Sequence, residues 1–216
     1  LQNLLNYPIV TSGLLFVPRA IGTLIGMAIV SRAARIDPRA LMLTGLLIAS
    51  YGLWEMTRFT LDVSEARIAW SGLIFGVGLG LVFVPVSTVA FATLPRALRT
   101  EAAGIYAVVR SLGASLGISV FVTILVRDAQ ANRSALVENI SPYNESYHRP
   151  TVPGFSGHGQ AESLSNLSHI IDRQAEMIAY VNDFRALMVV TLCVVPLVLL
   201  INNPWPATQE NDDAPR

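Results

Sequence analysis

A chain of 216 residues that is 52% hydrophobic, only 14% charged and has a mean hydropathy of +0.51 does not suit an ordinary soluble domain, in which about a quarter of residues are charged. Basic and acidic residues number fifteen each, the basic ones all arginine, so charge gives no case for nucleic acid, and a single cysteine, Cys193, excludes an internal disulfide. No P-loop string and no Cys/His cluster occurs, so neither a nucleotide-driven pump nor a bound metal or other cofactor is expected.

The apolar residues gather into runs of about 20, the number a helix needs to cross a hydrocarbon core of about 30 Å. In chain order, residues 9–31, 40–57, 69–91, 102–126 and 186–201 read as five transmembrane helices, the second and fifth near the short limit. The expected fold class is all-α, a polytopic helical bundle in a lipid bilayer. Pro18, Pro85 and Pro196 fall inside these runs. Neighbouring helices in lipid satisfy the carbonyls that a proline leaves free, so they read as kinks rather than ends. Arg32, Arg35, Arg39, Arg96 and Arg99 flank one side of the runs and Arg58 and Arg67 the other. The cytoplasmic bias of arginine in short loops then puts the N-terminus outside and the C-terminus inside. Arginines of the long segment before the last run count the other way, but long loops follow the rule poorly. Tyr7, Phe59 and Trp70 lie near the proposed outer boundary, where amphipathic rings prefer to sit.

Residues 127–184 form a polar external insertion between the fourth and fifth runs. Helix formers fill 128–140, Pro and Gly fill much of 143–159, and Leu164, Leu167, Ile171, Ile178 and Val181 then recur at helical spacing. Two amphipathic helices are expected to carry the neighbouring spans out of the membrane. They would form either a connector packed on itself or a docking surface for a partner protein. Asn132, Asn139, Asn144 and Asn166 each open an N-x-S triplet, which a polar loop rich in Asn and Ser produces by chance. The expected division is 1–126 for four spans, 127–184 for the insertion, 185–203 for the last span and 204–216 for a Pro-rich polar tail without fixed structure. The chain opens on Leu1-Gln2-Asn3, with no signal peptide. It reads as a fragment of a longer protein.

Small residues recur four apart at Gly22 and Gly26, at Gly72, Gly76 and Gly80, and at Gly113 and Gly117. Such faces bring helix backbones close in lipid, where no hydrophobic force drives association; tight packing is the expectation, with sliding between helices a further use. Arg19 and Arg110 lie within spans. Each costs at least about 2.5 kcal/mol to insert, so each faces a wet cavity or a partner in the bundle, or bonds carbonyls freed by a kink. Glu55 reads as snorkelling or paired with Arg58. The string Gly113-Ala114-Ser115-Leu116-Gly117 spells the G-x-S-x-G of a serine hydrolase, but His148, His158 and His169 all lie in the insertion, away from any base position. No enzyme is expected.

Several runs carry a resemblance. Leu1-Gln2-Asn3-Leu4-Leu5-Asn6-Tyr7 with Gly13-Leu14, then Pro18-Arg19-Ala20-Ile21-Gly22-Thr23, come first. Arg32-Ala33-Ala34-Arg35-Ile36-Asp37-Pro38-Arg39 follows, and then Gly76-Val77-Gly78-Leu79-Gly80 through Phe83-Val84-Pro85-Val86-Ser87-Thr88. Thr93-Leu94-Pro95 with Arg99, and Arg110-Ser111-Leu112-Gly113, close the series. In order and spacing the chain resembles the C-terminal part of the fourteen-helix drug:proton antiporters of the major facilitator superfamily, the EmrB/QacA type. No single run is decisive; the series is specific. The loop after the first span departs from the superfamily's G-x-x-x-D-R-x-G-R pattern, with Ser31 for glycine and Ala34 in an acid's place, which puts a gating role there in doubt.

The resemblance implies that the spans are helices ten to fourteen, that nine more lie upstream, and that helices ten, twelve and thirteen face a central cavity. Arg19, Phe83, Ser87, Tyr106 and Arg110 then become substrate-cavity residues. It implies proton-coupled efflux of hydrophobic or amphipathic small molecules, a multidrug-resistance activity, from the bacterial inner membrane. Its partners would be protons, the missing N-terminal half and, through the insertion, a periplasmic membrane-fusion protein and an outer-membrane channel. The alternatives left open are a small-metabolite transporter on the same fold and a non-transporting membrane fragment.

Overall fold

The computed structural model describes residues 8–33, 37–92, 94–95, 98–138 and 160–200. Five helices account for nearly all of them: α1 Ile9–Arg32, α2 Pro38–Met56, α3 Glu65–Ala92, α4 Arg99–Glu138 and α5 Gln160–Leu200. Tyr7, the middle of the Arg32–Arg39 run, most of the insertion between α4 and α5, and the tail lie outside the described residues.

In lipid a chain must satisfy its own backbone, which leaves the helix as the local solution. Hydroxyls follow the same rule. Those of Thr23, Thr44, Ser71, Ser87, Thr88, Thr123 and Thr191 donate to carbonyls three or four residues back in their own helices. Pro8 precedes α1 with φ −54° and ψ 152°, and Pro38 opens α2, where its missing N–H costs nothing. The helices run on through Pro18, Pro85 and Pro196. Between α2 and α3 a tight turn is closed by backbone bonds from Arg58, Phe59 and Val63 to Glu55, Met56 and Thr60, and Ile68 N–H then donates to the Ser64 carbonyl.

Among the described residues, four helices are long and apolar enough to cross a bilayer: α1, α3, α4 and α5. The exception is α2, the span expected at 40–57. At 19 residues it is barely membrane length, and it carries Arg39 and Glu55 near its ends. It is also well enclosed, with Leu41, Met42, Leu46, Ala49 and Leu53 all buried. Two apolar clusters show why. Val30 of α1, Leu41 of α2 and Leu81 of α3 form one, and Met42 and Leu46 of α2 with Val198 of α5 form the other.

Glycine sets the spacing. A Cβ on Gly22 or Gly26 of α1 would strike the backbone oxygens of Leu73 or Val77, and one on Gly76 or Gly80 of α3 would strike those of Arg19 or Thr23. Each helix thus lays its glycines against the other's carbonyls, as expected of small-residue faces in lipid. Gly78, on another side of α3, lies so close to α2 that a Cβ would stand 2.5 Å from Ala49 N. The third glycine stripe behaves differently. At Gly113 and Gly117 of α4 an added Cβ would meet nothing within 4 Å, so that face is open.

The helix α4 packs along α5, and α5 along α2. Residues 127 and 184, the edges of the expected insertion, fall inside these two continuous helices. Beyond the apolar stretches the pair is joined by the Arg133 Nε–Asp172 Oδ1 ion pair at 2.5 Å, and Ala175 and Ala179 of α5 are buried. At the turn end of the bundle Glu55 pairs with Arg67 at 3.6 Å rather than with Arg58. Arg58 instead lies over the Trp54 ring, its Cζ 4.4 Å from the centroid: the flat cation satisfies an aromatic face one turn back, and leaves the acid to α3.

Candidate functional site

On α3, aromatic residues recur every eight positions, at Phe75, Phe83 and Phe91. Eight residues turn a helix about 80° past two full turns, so the three rings walk around the helix as they descend. The first faces α1 and α2: Phe75 abuts Gly52 and carries the Arg19 guanidinium over its ring, Cζ 4.9 Å from the centroid. The other two face α4. Arg110 Cζ stands 4.3 Å over the Phe83 ring, and Phe91 meets Tyr106 edge to face at 5.4 Å and 63°.

Phe83, Ser87, Tyr106 and Arg110 are thereby brought to one place, the facing sides of α3 and α4. These helices meet there through side chains, because the close partner of α4 is α5. Phe83 keeps 41% of its surface exposed. The Ser87 hydroxyl, partly buried, donates back to the carbonyls of Phe83 and Val84, which leaves its lone pairs as an acceptor. Just above it Pro85 cannot donate to the Leu81 carbonyl. The result is a surface with a flat cation, aromatic faces, a phenol and a hydroxyl, on two membrane-length helices. Such a wall can bind apolar or aromatic molecules and orient a polar end. No acid is paired with Arg110 or with Arg19 among the described residues.

Arg19 stands apart from the other four. It lies at the edge of a second cavity of about 360 Å³, under the α2–α3 turn, with walls that include Met56, Phe59, Ile68 and Phe184. Phe59 and Phe184 close it edge to face, 6.3 Å between centroids. Neither Phe75, Phe91 nor this cavity stands out in the sequence as a site. The eight-residue aromatic spacing on α3 is the one signal that points toward the two rings. For the cavity no signal exists, since it depends on α5 returning beside α2 from more than a hundred residues away. The G-x-S-x-G string lies on an α4 face that is open, and His169 is exposed on α5.

No family model matches the chain. Among curated proteins, the fatty acid resistance protein FarB of Neisseria gonorrhoeae is 24% identical over 208 residues, 95% of this chain and 41% of its own length. The MFS-type transporter YhcA of Bacillus subtilis is 29% identical over 143 residues, 65% of this chain and 27% of its own. The multidrug export protein EmrB of Escherichia coli K12 is 25% identical over 146 residues, 67% of this chain and 28% of its own. The chain thus spans less than half the length of the curated relatives it matches. Its helices are those of a multi-pass membrane protein, and its sequence resembles part of the EmrB-type proteins of the major facilitator superfamily.

Proposed function

We propose that this chain forms the C-terminal helices of a proton-driven exporter of hydrophobic and amphipathic compounds in the bacterial inner membrane, a multidrug-resistance activity. The observation that carries the reading is the α3–α4 wall, where Arg110 over Phe83, with Tyr106, Phe91 and Ser87 nearby, offers a broad aromatic face and one cation between helices of membrane length. A narrow, multiply charged site would favour a small metabolite. The names of relatives, a multidrug export protein and a resistance protein among them, support export.

In this scheme two helical bundles rock about a midplane site, exposing it to each side in turn. This chain supplies most of one bundle, and its α1–α3 glycine seam locks two of its helices together. We place the proton carrier outside the apolar runs of this chain. Glu55 is held by Arg67 and Glu101 sits in the first turn of α4, so neither is at the midplane. The α4–α5 pair, continuing past the apolar stretches, provides the arm for a membrane-fusion protein, which in turn reaches an outer-membrane channel.

The test is efflux. Bacteria stripped of their own pumps and expressing the reading frame that contains this chain should extrude ethidium in a manner abolished by a protonophore, and Arg110→Ala should slow that extrusion at least about tenfold. Extrusion that survives the protonophore refutes proton drive. Cells that retain ethidium and stay as drug-sensitive as the parent, despite the protein being in their membranes, refute the export reading. The 216-residue chain alone in liposomes should give no flux.

A further inference from the structure

Where α4 and α5 leave the apolar runs they bring two acids together. Asp128 lies just past the fourth run and Asp183 just short of the fifth, and both are half-buried. On α5, Asp183 continues the line of Ala175 and Ala179, which are buried. Its Oδ1 is closed off from solvent and accepts no hydrogen bond. Neither acid has a cation against it among the described residues. The neighbouring charged groups are turned away or engaged. Arg127 of α4 and Arg185, Glu176 and Tyr180 of α5 are exposed. The α2–α3 turn reaches α5 through Phe59 on Phe184; there Arg58 lies over Trp54, Arg67 holds Glu55, and Asp62 is exposed. Asp128 is the group whose charge acts on Asp183. A carboxylate oxygen covered in this way, with a like charge near it, is costly, whereas a carboxylic acid can donate its O–H to the other carboxylate. Burial first, and the Asp128 charge second, push the Asp183 carboxyl above its ordinary 3.8.

We propose that Asp183 and Asp128 hold one proton between them, and that this proton is a catch at the base of the α4–α5 stem, closed when the solution beside it is acid and open when both carboxylates ionise. The proton belongs to the pair: it sits on Asp183 and is donated toward Asp128, so one negative charge remains where two would repel. Closure binds the proton more tightly than separated helices do. Acid therefore favours the closed stem below the ordinary carboxyl value, and the advantage is lost as pH rises through the raised one. The solution concerned is the outer one, by the arginine bias of the short loops. Both acids lie outside the apolar runs, away from the midplane, so this is not the proton that drives transport. Farther out, the exposed Arg133–Asp172 pair holds the stem in either state; the catch sets how firmly the two helices meet where they enter the membrane. Only the use of this stem as an arm for a partner rests on the export reading.

A distance across the stem tests it without transport. The 216-residue chain in phosphatidylcholine nanodiscs, with Cys193→Ser, takes nitroxide labels through Gln130→Cys on α4 and Gln174→Cys on α5, both exposed positions. Double electron–electron resonance should give one narrow label distance at about pH 4 and a longer, broader one at about pH 8, with a midpoint above 3.8. Asp183→Asn has the shape of the protonated acid without its charge, and should keep the narrow distance throughout. Asp128→Asn gives a second variant. It removes the like charge, and should move the midpoint down by about one pH unit or more. The proposal is overturned if the distance does not respond to pH, if Asp183→Asn responds as the wild type does, or if Asp128→Asn leaves the midpoint where it was. It is also overturned if magnesium narrows the distance at about pH 8, which would make the pair a cation site. A pH response that fits the catch, together with failed ethidium extrusion in cells, would sink the export reading and leave the catch standing.

Discussion

At Arg110 a guanidinium lies 4.3 Å over Phe83, with the arginine on an exposed face of α4. Such a contact contributes about 0.5–1 kcal/mol where water or headgroups reach it, and about 2 kcal/mol where they do not. A double-mutant cycle of Phe83→Ala and Arg110→Ala should therefore give a coupling of about 0.5–2 kcal/mol in the stability of the chain in detergent, read by thermal unfolding. A value near zero would mean the two side chains do not hold α4 against α3. The Arg133–Asp172 pair sits in a different setting, with side chains 57% and 42% exposed. Its short distance does not make it strong. Arg133→Ala should cost less than about 1 kcal/mol, and less again at high salt. Trp54 explains the unexpected pairing of Glu55: once Arg58 has folded onto the indole, Arg67 is the cation left within reach of the acid.

Among elements, the α1–α3 seam separates glycines that a sequence treats alike. Gly80 faces the Thr23 carbonyl and Gly26 so closely that any side chain would push backbone against backbone. Gly80→Ala should destabilise the bundle by about 1–3 kcal/mol, the usual range for overpacking. Gly117→Ala, on the open α4 face, should be neutral or slightly stabilising, because alanine is the better helix former. Equal melting temperatures for the two variants would remove the seam from the account. Four of the five spans were legible in the sequence because 20-residue apolar runs have no other stable solution in lipid, and Gly22, Gly26, Gly76 and Gly80 because their spacing maps onto one helix face. The Arg110–Phe83 grouping was legible only through the family likeness. What the sequence could not show is the neighbour of each face. The stripe at Gly113 and Gly117 has the same spacing as the others, yet α4 packs chiefly along α5. Nor could it show α2 enclosed between α3 and α5, since two elements separated by the whole of α4 leave no periodic trace of their contact.

For the molecule as a whole, the decisive property is where its apolar surface faces. Large apolar side chains such as Leu14, Leu24, Ile105, Leu116 and Leu200 are each more than 60% exposed, far beyond what a protein in water leaves uncovered. The chain should sediment with membranes after detergent-free lysis and high-speed centrifugation, and stay in the pellet after an alkaline carbonate wash. Recovery in the supernatant would refute the membrane reading. The glycine seam also has a consequence for biogenesis. Its two strips belong to α1 and α3, so the interlock cannot form until the third helix has left the translocon. Until then α1 waits in lipid with Arg19 lacking the Phe75 ring, and α2 lacks the surface that later encloses it. Ribosomes that stall between α2 and α3 should therefore leave α1 and α2 without their seam, for quality-control proteases to recognise, while those that pass α3 leave this part of the bundle already committed to its shape.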